Sequence, residues 1–285
     1  MAEDEGGTNL RDWIGRSETI TDALAPMPVA ALNATLDRDD PAPVPGDVLP
    51  PLYHWLYFLG LVPTAALDID GHPQRGGFLP PVALPRRMWV GSDVTFNGAL
   101  RLGEEATRTS VIEDVSEKEG RSGRLVFVVI RHQIAGTDGI VITDRQTVVY
   151  RDKSEGTEAP PRGKPAPEGP EFSRMIEPSA AFLFRYSALI FNAHRIHYDH
   201  PYAVDVEGYP GLVVHGPLLA TLLTDLVRRQ VPERPIRKFR FSALKPVFDD
   251  APFEVCGRAD GAKGMKLWVR DGAGDMCVDG AVELG

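Results

Sequence analysis

The chain has 285 residues, 43% apolar and 25% charged, enough for a sizeable core in one large domain or two of ordinary size. Its net charge of −9 argues against nucleic acid or an anionic membrane as a partner. No apolar run approaches the ~18 residues of a membrane span, and the acidic start MAEDEGGTNLRDW lacks the features of a signal peptide, so a cytoplasmic enzyme or binding protein is expected.

Residues 1–10 read as disordered. Thr19 to Leu36 has helical spacing, with Ile20, Leu24, Met27, Ala31 and Leu32 apolar and Thr19 or Thr21 placed to cap it. Pro26 and Pro28 predict a kink or a late start there. Residues 40–52 are Pro-rich and extended, 53–61 form a short aromatic segment, and a Gly/Pro-rich loop covers about 70–85. Strand signals dominate from Arg86 to Arg151. They are strongest in 124–131 and 140–150, with a hairpin turn at Thr137-Asp138-Gly139.

Residues 152–171 are polar, contain five prolines and read as a linker. A loop segment follows, then a helix from about Gly216 to Gln230. Leu218, Leu219, Leu222, Leu223, Leu226 and Val227 give that helix its apolar spacing. Strands are expected near 236–245, 252–258, 265–270 and 275–283. Residues 1–151 and 172–285 thus both read as a helix followed by antiparallel strands, an internally duplicated α+β chain. Cys256 and Cys277 lie in strand contexts without a CxxC partner and read as buried reduced thiols.

The chemistry concentrates in Phe191-Asn-Ala-His-Arg-Ile-His-Tyr-Asp199 and Gly211-Leu-Val-Val-His-Gly-Pro217. Asn192 and His197 are five residues apart. A carboxamide donates and accepts hydrogen bonds but does not ionise; an imidazole titrates near neutrality. Together they can hold and activate one water; the rival readings are Asn192 as a turn cap and His197 as a satisfied histidine. Gly216 opens the helix, where unpaired N–H groups and the positive helix end suit a developing oxyanion. The rival there is a plain helix-start glycine. His215 either contacts a substrate carbonyl or supports the loop. His194, His197 and His200 are spaced three apart, so a metal site is a rival reading.

The motif resembles that of the MaoC-like hydratase/dehydratase family, whose members place an Asp and a His five residues apart. Here Asn192 stands at the Asp position, His194 at the Asn position, Arg195 at the Pro position, Ile196 at the aliphatic position and His197 at the His position. The variant is similar to a sub-family that contains mitochondrial type 2 hydroxyacyl-thioester dehydratase and mesaconyl-C4-CoA hydratase. Trp13-Ile14-Gly15 and the segment from Gly211 to Gly216 also resemble that group.

The resemblance implies a double hot-dog fold with a catalytically degenerate N-terminal copy. It implies a hydro-lyase of 2-enoyl or 3-hydroxyacyl thioesters, with no metal and no redox cofactor. Asn192, His197 and Gly216 would be catalytic; Tyr198, His215 and Pro217 would line the substrate. Arg185, among the aromatics of 182–191, is either a partner for a dicarboxylic acyl group or a surface arginine. Arg228, Arg229, Arg234, Arg237, Lys238, Arg240 and Lys245 form a basic stretch; Arg237, Lys238 and Arg240 are the candidates for the CoA phosphates, against a solvated face complementing the helix dipole. The expected partners are an acyl-CoA or an acyl carrier protein, with the chain a monomer or homodimer. A non-catalytic acyl-thioester-binding protein is the reading from a different class.

Overall fold

The computed structural model describes residues 9–120, 123–152 and 163–285. Residues 1–8 of the segment expected to be disordered, and 153–162 of the expected linker, lie outside them. The described end of that linker is tied down: Pro165 bridges Asp275, and the Gly163 N–H donates to the Asp275 carboxylate at 2.9 Å.

Ten strands form one antiparallel sheet. The N-terminal five are β1 (Ser17–Ala23), β2 (Arg86–Phe96), β3 (Glu105–Gly120), β4 (Gly123–Gly136) and β5 (Gly139–Arg151). The C-terminal five are β6 (Phe172–Ile176), β7 (Ile236–Ala243), β8 (Phe253–Asp260), β9 (Gly264–Arg270) and β10 (Met276–Leu284). Their spatial order is β1-β3-β4-β5-β2-β7-β10-β9-β8-β6. Matching β6–β10 to β1–β5 gives the same order in each half, read outward from the centre. The halves meet where Gly91–Thr95 of β2 pair with Lys238–Ser242 of β7. This is the duplicated antiparallel arrangement of a double hot-dog.

The C-terminal half wraps helix α3 (Gly216–Gln230), whose residues Leu218 to Val227 are all buried. Among the described residues, the α-helix of the N-terminal half is the ten-residue α1 (Pro26–Thr35), beside three short 3-10 turns. It starts late, with proline in its first turn, where a missing N–H costs nothing. The start of the segment expected to be helical, Thr19 to Ala23, lies in strand β1 instead. Its alternating Thr19 and Thr21 set their hydroxyls 3.3 and 3.0 Å from those of Thr109 and Thr107 on β3, a cross-strand pairing that outweighs weak helical spacing. Helix α2 (Ala180–Leu189) lies where the sequence suggested a loop. Ser179 caps it by accepting the Phe182 N–H at 3.2 Å, and Leu183, Tyr186 and Ser187 face inward.

Asp225 in α3 is 1% exposed. It accepts from Arg38, from Arg174 at 3.2 Å and from Arg229 at 2.7 Å. Arg228 reaches Asp40 at 3.4 Å and the Tyr53 hydroxyl at 3.3 Å. Arg228 and Arg229, read as partners for CoA phosphates or the helix dipole, therefore bind the N-terminal half to α3. A second buried polar cluster lies in the N-terminal half: Asp144 accepts from Ser92, from Trp55 at 2.9 Å and from Gln146 at 2.7 Å, with His54 3.6 Å away. Cys256 and Cys277 are buried and unpaired. No helix among the described residues is long and apolar enough to cross a membrane.

Candidate active site

Helix α2 ends in a Schellman motif. The Asn192 N–H donates to the Ser187 carbonyl at 2.8 Å and the Phe191 N–H to that of Ala188 at 3.3 Å. The turn requires a left-handed residue, and here it is Phe191, with φ 50°. A β-carbon makes that conformation costly, by about 1–2 kcal/mol, so the helix end aims Asn192 at some expense. The Asn192 Oδ1 accepts the His194 N–H at 2.8 Å, which is the turn-capping role; its Nδ2 has no partner among the described residues.

His197 follows in a 3-10 turn (Arg195–His197). Its Nδ1–H donates to the Val213 carbonyl at 2.7 Å, which fixes the tautomer and leaves Nε2 as the acceptor. Its ring is 8% exposed. Burial first, and the charge of His72 second, push its pKa down to about 4 against that hydrogen bond. It is a neutral base at ordinary pH.

His215 is the N-cap residue of α3. Its ring stacks on that of His197, 3.8 Å between centroids. Its Nε2 meets the Ser187 hydroxyl at 2.8 Å, and its Nδ1 is buried without a partner. When Ser187 donates to Nε2, the ring proton sits on Nδ1. Burial, then the charges of His197 and His194, hold His215 well below the usual imidazole range. Gly216 makes room for the N-terminal half: a methyl there would sit 3.3 Å from the Trp89 ring. Its small size therefore serves this packing, a reason the sequence did not suggest. Pro217 follows it in the first turn.

A hairpin from the N-terminal half closes over the motif. Leu67 bridges Pro73 around Asp68–His72, with Gly71 at φ 87°. A methyl on Gly71 would collide with the Ala193 carbonyl oxygen. Arg195 fastens the hairpin: its N–H donates to the Asp70 carbonyl at 2.9 Å and its guanidinium to the Ile69 carbonyl at 3.1 Å. His72 packs against His194 with centroids 3.9 Å apart and the planes tilted by 36°, and the rings of His194 and His197 meet edge-on at 5.3 Å. Asp70 accepts from both the Nδ1–H and the backbone N–H of His72, each at 2.8 Å. Asp70, His72 and His194 bring three ligand-type atoms within 4.8 Å of one another. The Asp70–His72 hydrogen bond and the ring contact account for that closeness. The rival triplet of His194, His197 and His200 does not gather as a ligand group among the described residues, and His200 is exposed.

Two cavities flank these rings. One, of about 330 Å³, is lined by Asn192, Ser187, His72, Phe184, Leu67 and Tyr198. The other, of about 320 Å³, is lined by His194, Ile196, Arg86, Arg87 and Glu207. Asn192 and His197 do not share a cavity wall; Asn192 lines the first, and His197 touches the rings of His194 and His215. The Tyr198 hydroxyl donates to the Ala193 carbonyl at 3.0 Å. Arg185 is exposed on α2 and lines neither cavity. Arg237, Lys238 and Arg240 are exposed on β7, Lys238 paired with Glu283 at 3.0 Å. Sequence reasoning missed His72 and Arg87. Arg87 sits on the inward side of β2 two residues before Trp89, beside the Tyr150 hydroxyl, and makes no ion pair among the described residues.

Residues 52–249 match the family model "Hydroxyacyl-thioester dehydratase type 2". The chain is 44% identical over 273 residues to mesaconyl-C(4)-CoA hydratase of Chloroflexus aurantiacus, covering 96% of this chain and 97% of that protein. It is 29% identical to the mitochondrial hydroxyacyl-thioester dehydratase type 2 of Schizosaccharomyces pombe, over 88% and 91% of the two chains. A solved Mycobacterium tuberculosis protein described as a double hot-dog superposes with a TM-score of 0.60 at 11% identity, covering 95% of this chain and 96% of that one.

Proposed function

The chain belongs to the hydroxyacyl-thioester dehydratase type 2 family and is a hydro-lyase of acyl thioesters; from that premise we propose that its substrate is a 2-enoyl-CoA whose short, branched acyl group carries a free carboxylate, of the mesaconyl-CoA kind. The relative of highest quoted identity is named for that type of substrate. The second cavity supports it: Arg87 offers a guanidinium with no carboxylate partner among the described residues, next to His194. A desolvated Arg–carboxylate contact is among the stronger polar interactions available. Arg87 takes the role that Arg185 had on sequence grounds.

The observation that carries the mechanism is the stack of His197 on His215 at the tip of α3. Water held by the Asn192 carboxamide in the first cavity gives its proton, relayed by a further water, to the neutral His197 Nε2 as its oxygen bonds to the β-carbon. Electrons move to the thioester oxygen, which takes hydrogen bonds from the Gly216 N–H and the His215 Nδ1–H at the positive end of the helix. The enolate then collapses as a proton reaches the α-carbon. Water has been added, no electron leaves the substrate, and the redox-neutral step calls for no redox cofactor. Tyr198 and Pro217 border the acyl path.

Arg237, Lys238 and Arg240 remain the proposed contacts for the CoA phosphates, on an exposed face. A cytoplasmic setting and a monomer or homodimer complete the reading. Dehydration of a 3-hydroxyacyl group on an acyl carrier protein is the alternative; the mitochondrial relative's name gives hydroxyacyl-thioester dehydration without a carrier. A panel of enoyl-CoAs, followed by loss of the enoyl-thioester absorbance, tests the proposal. Activity only on carrier-protein thioesters would replace it, and no activity on any enoyl thioester would leave a binding protein.

A further inference from the structure

We infer that His72, delivered by the hairpin of the N-terminal half and held by Asp70, is a second acid–base residue of the reaction, the one that gives the proton to the α-carbon.

The inference rests on the hydro-lyase reading and answers a difficulty within it. Asn192 occupies the position where the family's motif places an ionisable Asp. A carboxamide cannot move a proton, so one acid–base group is missing from the motif. His72 lines the same cavity as Asn192, whereas His197 lines neither cavity. The His72 Nδ1–H is committed to the Asp70 carboxylate at 2.8 Å, and its Nε2 has no partner among the described residues. This is the arrangement in which a carboxylate orients an imidazole and stabilises its protonated form.

The hairpin is built to hold that position. Gly71 packs directly on the Ala193 carbonyl, and Arg195 donates to the Asp70 and Ile69 carbonyls. These contacts reach across the two halves of the chain at the motif and place His72 against His194.

The roles divide by environment. His197 has only a neutral carbonyl as partner and stays unprotonated, so it takes the proton from water as the hydroxyl oxygen bonds to the β-carbon. His72 is the site imidazole with a carboxylate partner, so it carries the proton that bonds to the α-carbon. One proton leaves water for His197 and one leaves His72 for the substrate. Transfer back from His197 to His72, with His194 between them or through the open cavity, resets the site. The charged and titratable groups facing His72 are Asp70 and Arg75 of its own loop, Arg87 of β2, and His194 and His197 of the motif. Burial first, then Arg87 and Arg75, hold the His72 pKa below the usual imidazole range, and Asp70 works against them to keep the imidazolium within reach. A substrate carboxylate against Arg87 would relieve part of that opposition.

The test is hydration of crotonyl-CoA and mesaconyl-CoA by the full chain, its His72→Ala and His72→Gln variants and its Asp70→Asn variant, across a pH series. His72→Gln keeps the bulk and a hydrogen-bonding head but cannot shuttle a proton, which covers the case where His72→Ala fails to fold. Each His72 variant should lose at least ~100-fold in kcat, the lower bound for acid–base catalysis, with KM changed only a few-fold. Asp70 acts through His72 as a positioning residue. Removing its charge lowers the His72 pKa, so the alkaline fall of the Asp70→Asn profile should begin at lower pH. A His72→Gln enzyme within ~3-fold of the parent, or an Asp70→Asn profile that only scales down without moving, overturns the inference while the hydro-lyase reading stands. A parent chain inactive on every enoyl thioester overturns both.

Discussion

The imidazole rings of His197 and His215 lie 3.8 Å apart and 17° from parallel. Two rings so close cannot both carry a proton without strong repulsion in a buried site, so at most one is charged at a time. His215 also ties the two ends of the site together. Its ring touches the base, its Nε2 binds Ser187, and the Ser187 carbonyl receives the N–H of Asn192.

His215→Phe keeps a ring in the stack but removes both nitrogens. If His215 Nδ1–H stabilises the thioester oxyanion, kcat on crotonyl-CoA should fall ~100-fold or more with little change in KM, the usual loss for one such donor. Unchanged kcat would reduce His215 to a supporting role.

His197→Ala should lower kcat at least ~100-fold, and Asn192→Ala should be comparably severe. Asn192→Asp retains the acceptor for the His194 N–H, so its turn survives. Because the family's motif carries Asp there, this variant should keep activity within ~10-fold of the parent. Steady-state rates of the three variants, with circular dichroism to confirm folding, decide the point.

Arg87→Leu should cut kcat/KM for mesaconyl-CoA ~100-fold, the size of a lost charge-assisted contact of a few kcal/mol, and leave crotonyl-CoA nearly untouched. Arg185→Ala should affect neither. Equal losses on both substrates would show that Arg87 serves the fold or the thioester end instead.

His132 and His197 are both pushed down to about 4, chiefly by burial. Their unfolded pKa lies near 6.5, so the unfolded chain binds more protons between those values. Stability from this source is complete above about pH 6.5 and is lost as pH falls towards 4, by roughly 3 kcal/mol for each such imidazole. Asp144 behaves oppositely in cause but not in direction. Burial resists its ionisation, yet the contacts with His54, His132 and Ser92 hold it down to about 2. Its contribution is present above about pH 4 and fades below. Urea midpoints measured from pH 8 to pH 4.5 should therefore decline mainly below pH 6.5. A flat profile over that range would contradict the buried neutral imidazoles.

Much of the architecture was legible because packing and periodicity agreed. Leu218 to Val227 recur at helical spacing and form α3; the β-branched runs at 124–131 and 140–150 lie in β4 and β5. Thr19 and Thr21 were misread because a threonine-rich edge strand has no apolar alternation to declare itself. Helix α2 was obscured by Phe182, Phe184 and Phe191, two of which face solvent. The Asn/His motif was visible as a contiguous string. His72 and Arg87 were not, since only tertiary folding carries them to it. Asp70-Gly71-His72 offered one faint signal, a turn dipeptide ending in a histidine.

The matching strand orders on either side of the β2–β7 seam describe an approximate dyad, and a dyad relates equivalent places in pairs. An ancestor made of two identical chains would have owned two such places, each requiring a loop from one subunit and a flap from the other. Joining the copies covalently released them from sameness. The C-terminal copy could keep its loop while the N-terminal copy kept its flap, and the second place was free to lose its chemistry. Expressing either half alone should accordingly yield an incomplete catalyst, while mixing the two halves could rebuild only one working centre.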